Sequence, residues 1–219
     1  MSNRLKLGIL ISGRGSNLQA LINACSQSGF PAKIVLVISN VQTAKGLERA
    51  KSANIPHVVI NHKEHNNRAD FDAEMTKALS SAKVQLVCLA GFMRLLSKDF
   101  VEHWYNQLIN IHPSLLPAFK GLHVQAKAIQ AGAKFSGCTV HFVRHQMDEG
   151  PIIAQAAVPI HQNDNPGSLS KRILKQEHLL YPSVIRWFAE GRIRFDGKRV
   201  VISGIGPLED ALINPSSEH

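Results

Sequence analysis

Three apolar runs dominated by branched side chains, Leu5 to Ser12, Lys33 to Ser39 and Val84 to Ala90, recur along the chain, each closed by glycine or a polar turn. A continuous apolar run, rather than an alternating one, suits a strand covered on both faces of a sheet. Between the runs the period changes. Leu18, Leu21, Ile22 and Cys25 fall on one helical face, and Phe71, Met75 and Leu79 do the same within Arg68 to Ser81. Strands alternating with helices imply right-handed crossovers and a mainly parallel sheet. The expected fold class is therefore α/β: a single domain, with a mainly parallel twisted sheet and helices on both faces.

The remaining pattern fills in this frame. Helices are predicted over Ala44 to Ala53, Ser97 to Trp104 and Val124 to Ala131, and strands over His57 to Ile60 and Gln107 to Ile111. Two prolines and a glycine make His112 to Leu122 irregular. Gly137 to Val143 and Ile152 to Val158 read as an antiparallel pair in the C-terminal half. A long helix starts after Asn165-Pro166-Gly167 and runs to about Ala189. In open α/β sheets ligands bind beyond the carboxyl ends of the strands. The unusual sequence lies at those ends, in Gly13 to Asn17, Ala90 to Leu96, Asn110 to Gly121 and Arg144 to Pro151, so one site is expected.

Composition narrows the function. The 219 residues fit one domain at about 150 residues each. Cys25, Cys88 and Cys138 lie far apart with no C-x-x-C, which suits a reducing, cytoplasmic setting. No apolar stretch approaches the ~18 residues of a membrane span, and Leu7 to Ile11 is too short for a signal peptide. The formal charge is +9, but Lys and Arg are scattered and aromatics make up only 6%. Nucleic-acid binders concentrate charge in a stripe with aromatics interleaved. The densest basic stretch, Arg186 to Arg199, reads as a solvated helix end and strand. The expected partners are anionic small molecules, with no nucleic acid and no membrane, and the chain itself a monomer or weak homodimer.

Three segments carry chemistry. Ser12-Gly13-Arg14-Gly15-Ser16-Asn17 joins the first strand to the first helix. Glycines let backbone approach a phosphate, and helix N-terminal amides with Ser16 and Asn17 supply donors. The plain structural reading is a turn whose Ser16 or Asn17 caps the helix. Asn110 and His112 stand two apart on a strand end, so both face one side. An amide donor beside an imidazole can stabilise an oxyanion and act as general acid or base, although a lone histidine is more often a satisfied core residue. Met147-Asp148-Glu149-Gly150-Pro151 places an acid in a turn. The pairs His62/His65 and His141/His145 lack a third metal ligand, and no metal site is expected.

At Asn110-Ile-His-Pro-Ser-Leu-Leu-Pro, followed by Phe119-Lys-Gly-Leu-His, the sequence resembles the folate-dependent formyltransferases. The resemblance runs from Gly8 to about Gly191. It includes Ile11-Ser-Gly-Arg-Gly-Ser-Asn-Leu-Gln-Ala, Leu89-Ala-Gly-Phe-Met-Arg-Leu-Leu, Val140-His-Phe-Val, Gln176-Glu-His and Tyr181-Pro. It implies a Rossmann-like formyltransferase fold, with residues 1–219 as one catalytic domain. The implied reaction is transfer of a formyl group from 10-formyltetrahydrofolate, as co-substrate, to a glycinamide ribonucleotide in purine synthesis. By position, Asn110, His112 and Asp148 would form the catalytic set. Gly15, Ser16, Asn17, Leu174, Lys175, Gln176 and Glu177 would hold the ribonucleotide. Arg68, Met93, Arg94, Leu95, Leu96, Asn110, Arg144, His145, Gln146, Met147 and Asp148 would hold the folate, with Arg68 at its acidic tail. The family commonly reads Asp-Gly-Gly-Pro where this chain has Asp148-Glu149-Gly150-Pro151.

Two other readings remain open at this stage. A formyltetrahydrofolate hydrolase shares the core but normally carries an N-terminal regulatory domain, whereas this chain opens on its first strand. A catalytically silent folate- or nucleotide-binding protein is the other, and the intact Asn110, His112 and Asp148 stand against it.

Overall fold

The computed structural model describes residues 4–206, 209 and 211–215. Seven strands form one sheet: β1 (Leu5–Ile11), β2 (Ala32–Ser39), β3 (His57–Val59), β4 (Leu86–Leu89), β5 (Leu108–His112), β6 (Phe135–Phe142) and β7 (Ile152–Pro159). Their spatial order is β3-β2-β1-β4-β5-β6-β7. The first five in that order are parallel, and β6 and β7 are antiparallel additions. The expected fold class holds.

Helices cover both faces. On one face α1 (Ser16–Ser26) and α6 (Pro166–Ala189) close a core that includes Leu18, Leu21, Leu169, Ile173, Tyr181 and Val184. On the other, α3 (Arg68–Ser81) and α4 (Lys98–His103) pack Phe71, Met75, Leu79, Phe100 and Trp104 against Leu10, Ile38 and Val87. Both clusters draw on β1, whose neighbouring residues Ile9 and Leu10 point to opposite faces. That is why its run has no polar alternation. The short helices α2 (Gly46–Ser52) and α5 (Val124–Gln130) complete the order.

The helix ends follow local chemistry. Asn67 and Ser97 cap α3 and α4 by accepting from Asp70 N and Phe100 N. Asn165 caps α6 in a reciprocal box with Ser168, and Pro166 takes a first-turn position. Just before that cap, Asp164 accepts two bonds from Arg172, at 2.7 and 3.0 Å. The Arg172 guanidinium holds the Asp164 carboxyl well below the usual carboxylate range. The segment leading into α6 is thereby tied to the second turn of that helix, which also carries Leu174 to Glu177.

Two elements depart from expectation. The strand read over Val84 to Ala90 is only Leu86–Leu89, because Val84 N is spent on Leu79 O in the turn that ends α3. The basic stretch read as helix end and strand also forms a hairpin, β8 (Ile193–Asp196) with β9 (Arg199–Ile202), turning at Gly197.

Candidate active site

The chain leaves β1 toward β2 on one side and later returns through β4 on the other. β1 and β4 are adjacent, so a crevice opens outside their carboxyl ends. The loop after β1 runs from Ser12 into α1. Gly15 is left-handed, with φ 69°, and a Cβ there would stand 2.6 Å from Gly46 Cα. The glycine is thus required by the close approach of α2, where Gly46 N also donates to Gly13 O at 3.0 Å. Neither Ser16 nor Asn17 caps α1; its N-cap is Gly15, without a side-chain bond. The first-turn amides keep the positive end of the helix free for an anion.

Asn17 is committed elsewhere. Its Nδ2 donates to Glu177 Oε2 at 2.6 Å, joining α1 to α6, and both side chains are buried. Burial pushes the Glu177 carboxyl up, with the Asn17 bond opposing. Leu174 and Gln176 are half-buried and Lys175 exposed on the same helix. A carboxyl raised above its ordinary 4.5 keeps its proton longer folded than unfolded, so it costs stability as pH rises above 4.5. Glu177→Gln should therefore gain stability relative to the parent at pH 7 but not at pH 4. Urea midpoints at the two pH values check this; a loss at pH 7 larger than at pH 4 would contradict it.

The second half of the site lies where β5 ends. Antiparallel pairing sets Asn110 against His141 and His112 against Thr139. Asn110 Nδ2 stands 3.3 Å from His141 Nε2, while His141 Nδ1 stands 3.0 Å from the Phe142 carbonyl. The carbonyl can only accept, so Nδ1 bears the hydrogen and Nε2 accepts from Asn110. Burial holds the His141 imidazole below its usual range and so neutral. The Asn110 amide is thereby oriented, and among the described residues its second N–H has no partner.

His112 is buried, with Nε2 donating to Phe119 O at 3.1 Å and Nδ1 3.6 Å from Asp148 Oδ2. Asp148 is left-handed, with φ 57°; its Oδ2 accepts from Gly121 N at 2.9 Å and its Oδ1 stands 3.9 Å from His141 Nε2. The three residues singled out from the sequence thus meet around a fourth, His141. Sequence reading met His141 in a rejected metal pair and inside the resembling stretch Val140-His-Phe-Val, but gave it no role. Its signal was weak: Thr139 and His141 alternate on a strand antiparallel to the one bearing Asn110 and His112.

Thr139 and Gln155 hold the first half of the Ser114–His123 loop. Thr139 Oγ1 donates to Ser114 O at 2.7 Å, and Gln155 Nε2 to Leu116 O at 2.8 Å. Lys120 and Glu149 pair at 2.6 Å across to the Asp148 loop, so the acid standing at the family's glycine position turns away from His112.

The other expected contacts are unevenly placed. Met93, Leu95 and Met147 are each more than half exposed. Arg94 is half-buried, while His145, Gln146 and Arg68 are exposed, Arg68 opening α3. Leu96 is buried in the core with Phe100. Arg144 lies 4.1 Å above the Tyr105 ring and donates to Asn106 Oδ1 at 2.6 Å. Tyr105 and Asn106 precede β5, so the Arg144 side chain turns toward the opposite end of that strand from His112. Among the described residues no group of three or more His, Cys, Asp or Glu could hold a metal ion.

A sheet of this order brings an uncapped helix start and an Asn–His–Asp set to one carboxyl edge, an anion site beside an acid–base group in an α/β protein. The chain belongs to the formyl transferase family, which matches residues 5–185. It is 44% identical over 206 residues to the phosphoribosylglycinamide formyltransferase of Haemophilus influenzae, covering 91% of this chain and 97% of that protein. It is 53% identical over 190 residues to the trifunctional purine biosynthetic protein adenosine-3 of Drosophila melanogaster, covering 86% of this chain but only 14% of that protein's length. The crystal structure of glycinamide ribonucleotide transformylase 1 from Symbiobacterium toebii superposes with a TM-score of 0.90 at 46% identity, over 92% of this chain and 95% of that one.

Proposed function

We propose that this chain transfers the formyl group of 10-formyltetrahydrofolate to the amine of phosphoribosylglycinamide, giving the N-formyl product and tetrahydrofolate in purine biosynthesis. The observation that carries the reading is the meeting of Asn110, His112 and Asp148, with His141, at the same sheet edge as the uncapped α1 start. The names of the relatives support it. The crevice outside the carboxyl ends of β1, β4 and β5 would take both substrates, and both are anionic, which suits the +9 charge.

The amine lone pair attacks the formyl carbon, and the carbonyl electrons move to oxygen. The free N–H of Asn110 and the Nε2–H of His112 are donors for that oxyanion, the latter on release from Phe119 O. The attacking nitrogen then gives up one proton and the departing nitrogen takes one as its bond to the formyl carbon breaks. His112 carries the proton between them, and Asp148 is the counter-charge while it does so. The chain would work as one catalytic domain in the cytoplasm; no described helix is long and apolar enough to cross a membrane.

Absorbance at the folate product band, followed with and without the ribonucleotide, tests this. Product only with the amine is expected. Product without it would favour a formyltetrahydrofolate hydrolase, and none in either case a silent binding protein. Arg68, exposed at the start of α3, would meet the folate's acidic tail. Arg68→Ala should then raise the folate KM with kcat nearly intact, the pattern of lost uniform binding. A parental folate KM would leave Arg68 a solvated helix-start residue.

A further inference from the structure

A chain of polar groups crosses the crevice outside the Asn110–His112–Asp148 set. Ser12, directly after β1, donates its hydroxyl to Asn40 Oδ1 at 2.5 Å and accepts the Met93 backbone N–H at 2.8 Å. Its own backbone N–H donates to Gly91 O at 3.1 Å. Asn40 is buried just after β2, and its Nδ2 reaches His62 Nδ1 at 3.2 Å in the short turn ahead of α3. The backbone around Asn40 is shaped by Ser39, whose Oγ donates to Val41 O and accepts from Val41 N. One hydroxyl therefore joins the loops that follow β1, β2 and β4.

We propose that Ser12 is a positioning residue for formyl transfer: it sets the separation between the Gly13–Asn17 loop and the Met93–Leu96 loop, and with it the distance between the amine and the formyl carbon. This rests on the reading above, in which the first loop holds the ribonucleotide and the second the folate. The physical argument is one of geometry. Met93 is largely exposed, so water could satisfy its N–H; the bond to Ser12 adds position. A hydroxyl whose hydrogen and lone pair are both engaged is held in one rotamer, and its acceptor, Asn40, is itself fixed by burial. Reacting atoms must approach to about 3–3.5 Å, and a misplacement of about 1 Å can cost about 10²-fold in rate. Substrate binding, spread over many contacts, responds much less.

The test is steady-state formyl transfer by the full chain carrying Ser12→Ala, Ser12→Thr, Asn40→Ala, or Ser12→Ala with Asn40→Ala. Ser12→Ala is expected to lower kcat by about 10–100-fold with both KM values within about threefold of the parent. Ser12→Thr, which keeps the hydroxyl, should recover most of the rate. Asn40→Ala should match the loss, and the double variant should be no slower than the slower single one, because both changes break the same link. A purely structural role would lower thermal stability without this split between kcat and KM. The proposal is overturned by a parental kcat in folded Ser12→Ala, by raised KM with unchanged kcat, by no recovery with threonine, or by multiplying losses in the double variant. Should Ser12→Ala not fold, Asn40→Ala decides alone by the same split. Failure of the unmodified chain to formylate the ribonucleotide sinks the functional reading instead, and is seen before any variant is made.

Discussion

Asp148→Asn should lower kcat by roughly 10²–10⁴-fold, the usual scale of general acid–base help, while both substrates bind nearly as before. The carboxylate stands 3.6 Å from His112 Nδ1 and is held there by Gly121 N. An asparagine can keep the Gly121 bond through its oxygen, so the loop stays seated and only the counter-charge is lost. Glu149 is the internal control. It is adjacent and equally charged, yet it pairs with Lys120 at the surface. Exposed pairs contribute about 0–1 kcal/mol, so Glu149→Gln should leave kcat within about twofold of the parent. Rates across pH 5–9 with both variants check this. A fully active Asp148→Asn, or a crippled Glu149→Gln, would remove Asp148 from the proton path.

The second large effect is expected at Gly150. A Cβ there would lie 1.5 Å from the Phe142 carbonyl oxygen, a backbone atom with no rotamer to yield. The backbone must shift, and Phe142 ends the strand that holds His141 while Asp148 is two residues away. Gly150→Ala should destabilise the fold by about 3 kcal/mol or more, at the upper end of overpacking costs, and what remains folded should have lost its Asp148 geometry. Glu149→Gly, which restores the residue common in the family, should cost little by comparison. Denaturant midpoints of the two variants separate these outcomes. Parental stability in Gly150→Ala would mean that the loop is seated differently.

The elements were legible where the signal is local. α3 occupies Arg68–Ser81 as its period indicates, because Phe71, Met75 and Leu79 form one face and Asn67 caps it. The long helix after Asn165-Pro166-Gly167 was equally plain, since cap and proline mark its start within three residues. The hairpin of β8 and β9 was only half legible. Ile193-Arg194-Phe195-Asp196 alternates and Asp196-Gly197 suits a tight turn, but the strands are four residues each and largely exposed, so the stretch reads as a helix end and one strand.

Asn110 and His112 were recognisable for the same local reason: two residues apart on a strand must share a face. Their partners are not local. His141 is 31 positions from Asn110, and it arrives only because β6 runs antiparallel to β5 in one particular register. Glu177 is 160 positions from Asn17 and arrives by the packing of α6 on α1. Gly15 was read as room for a phosphate, and its nearest constraint proved to be Gly46 of another helix. Local patterning of apolar, glycine and capping residues was enough to set the sheet class, most element spans and the loops that hold the site. Which side chains meet within those loops depended on strand register and helix docking, because hydrogen bonds act over about 3 Å and no period in the chain encodes contacts so far apart along it.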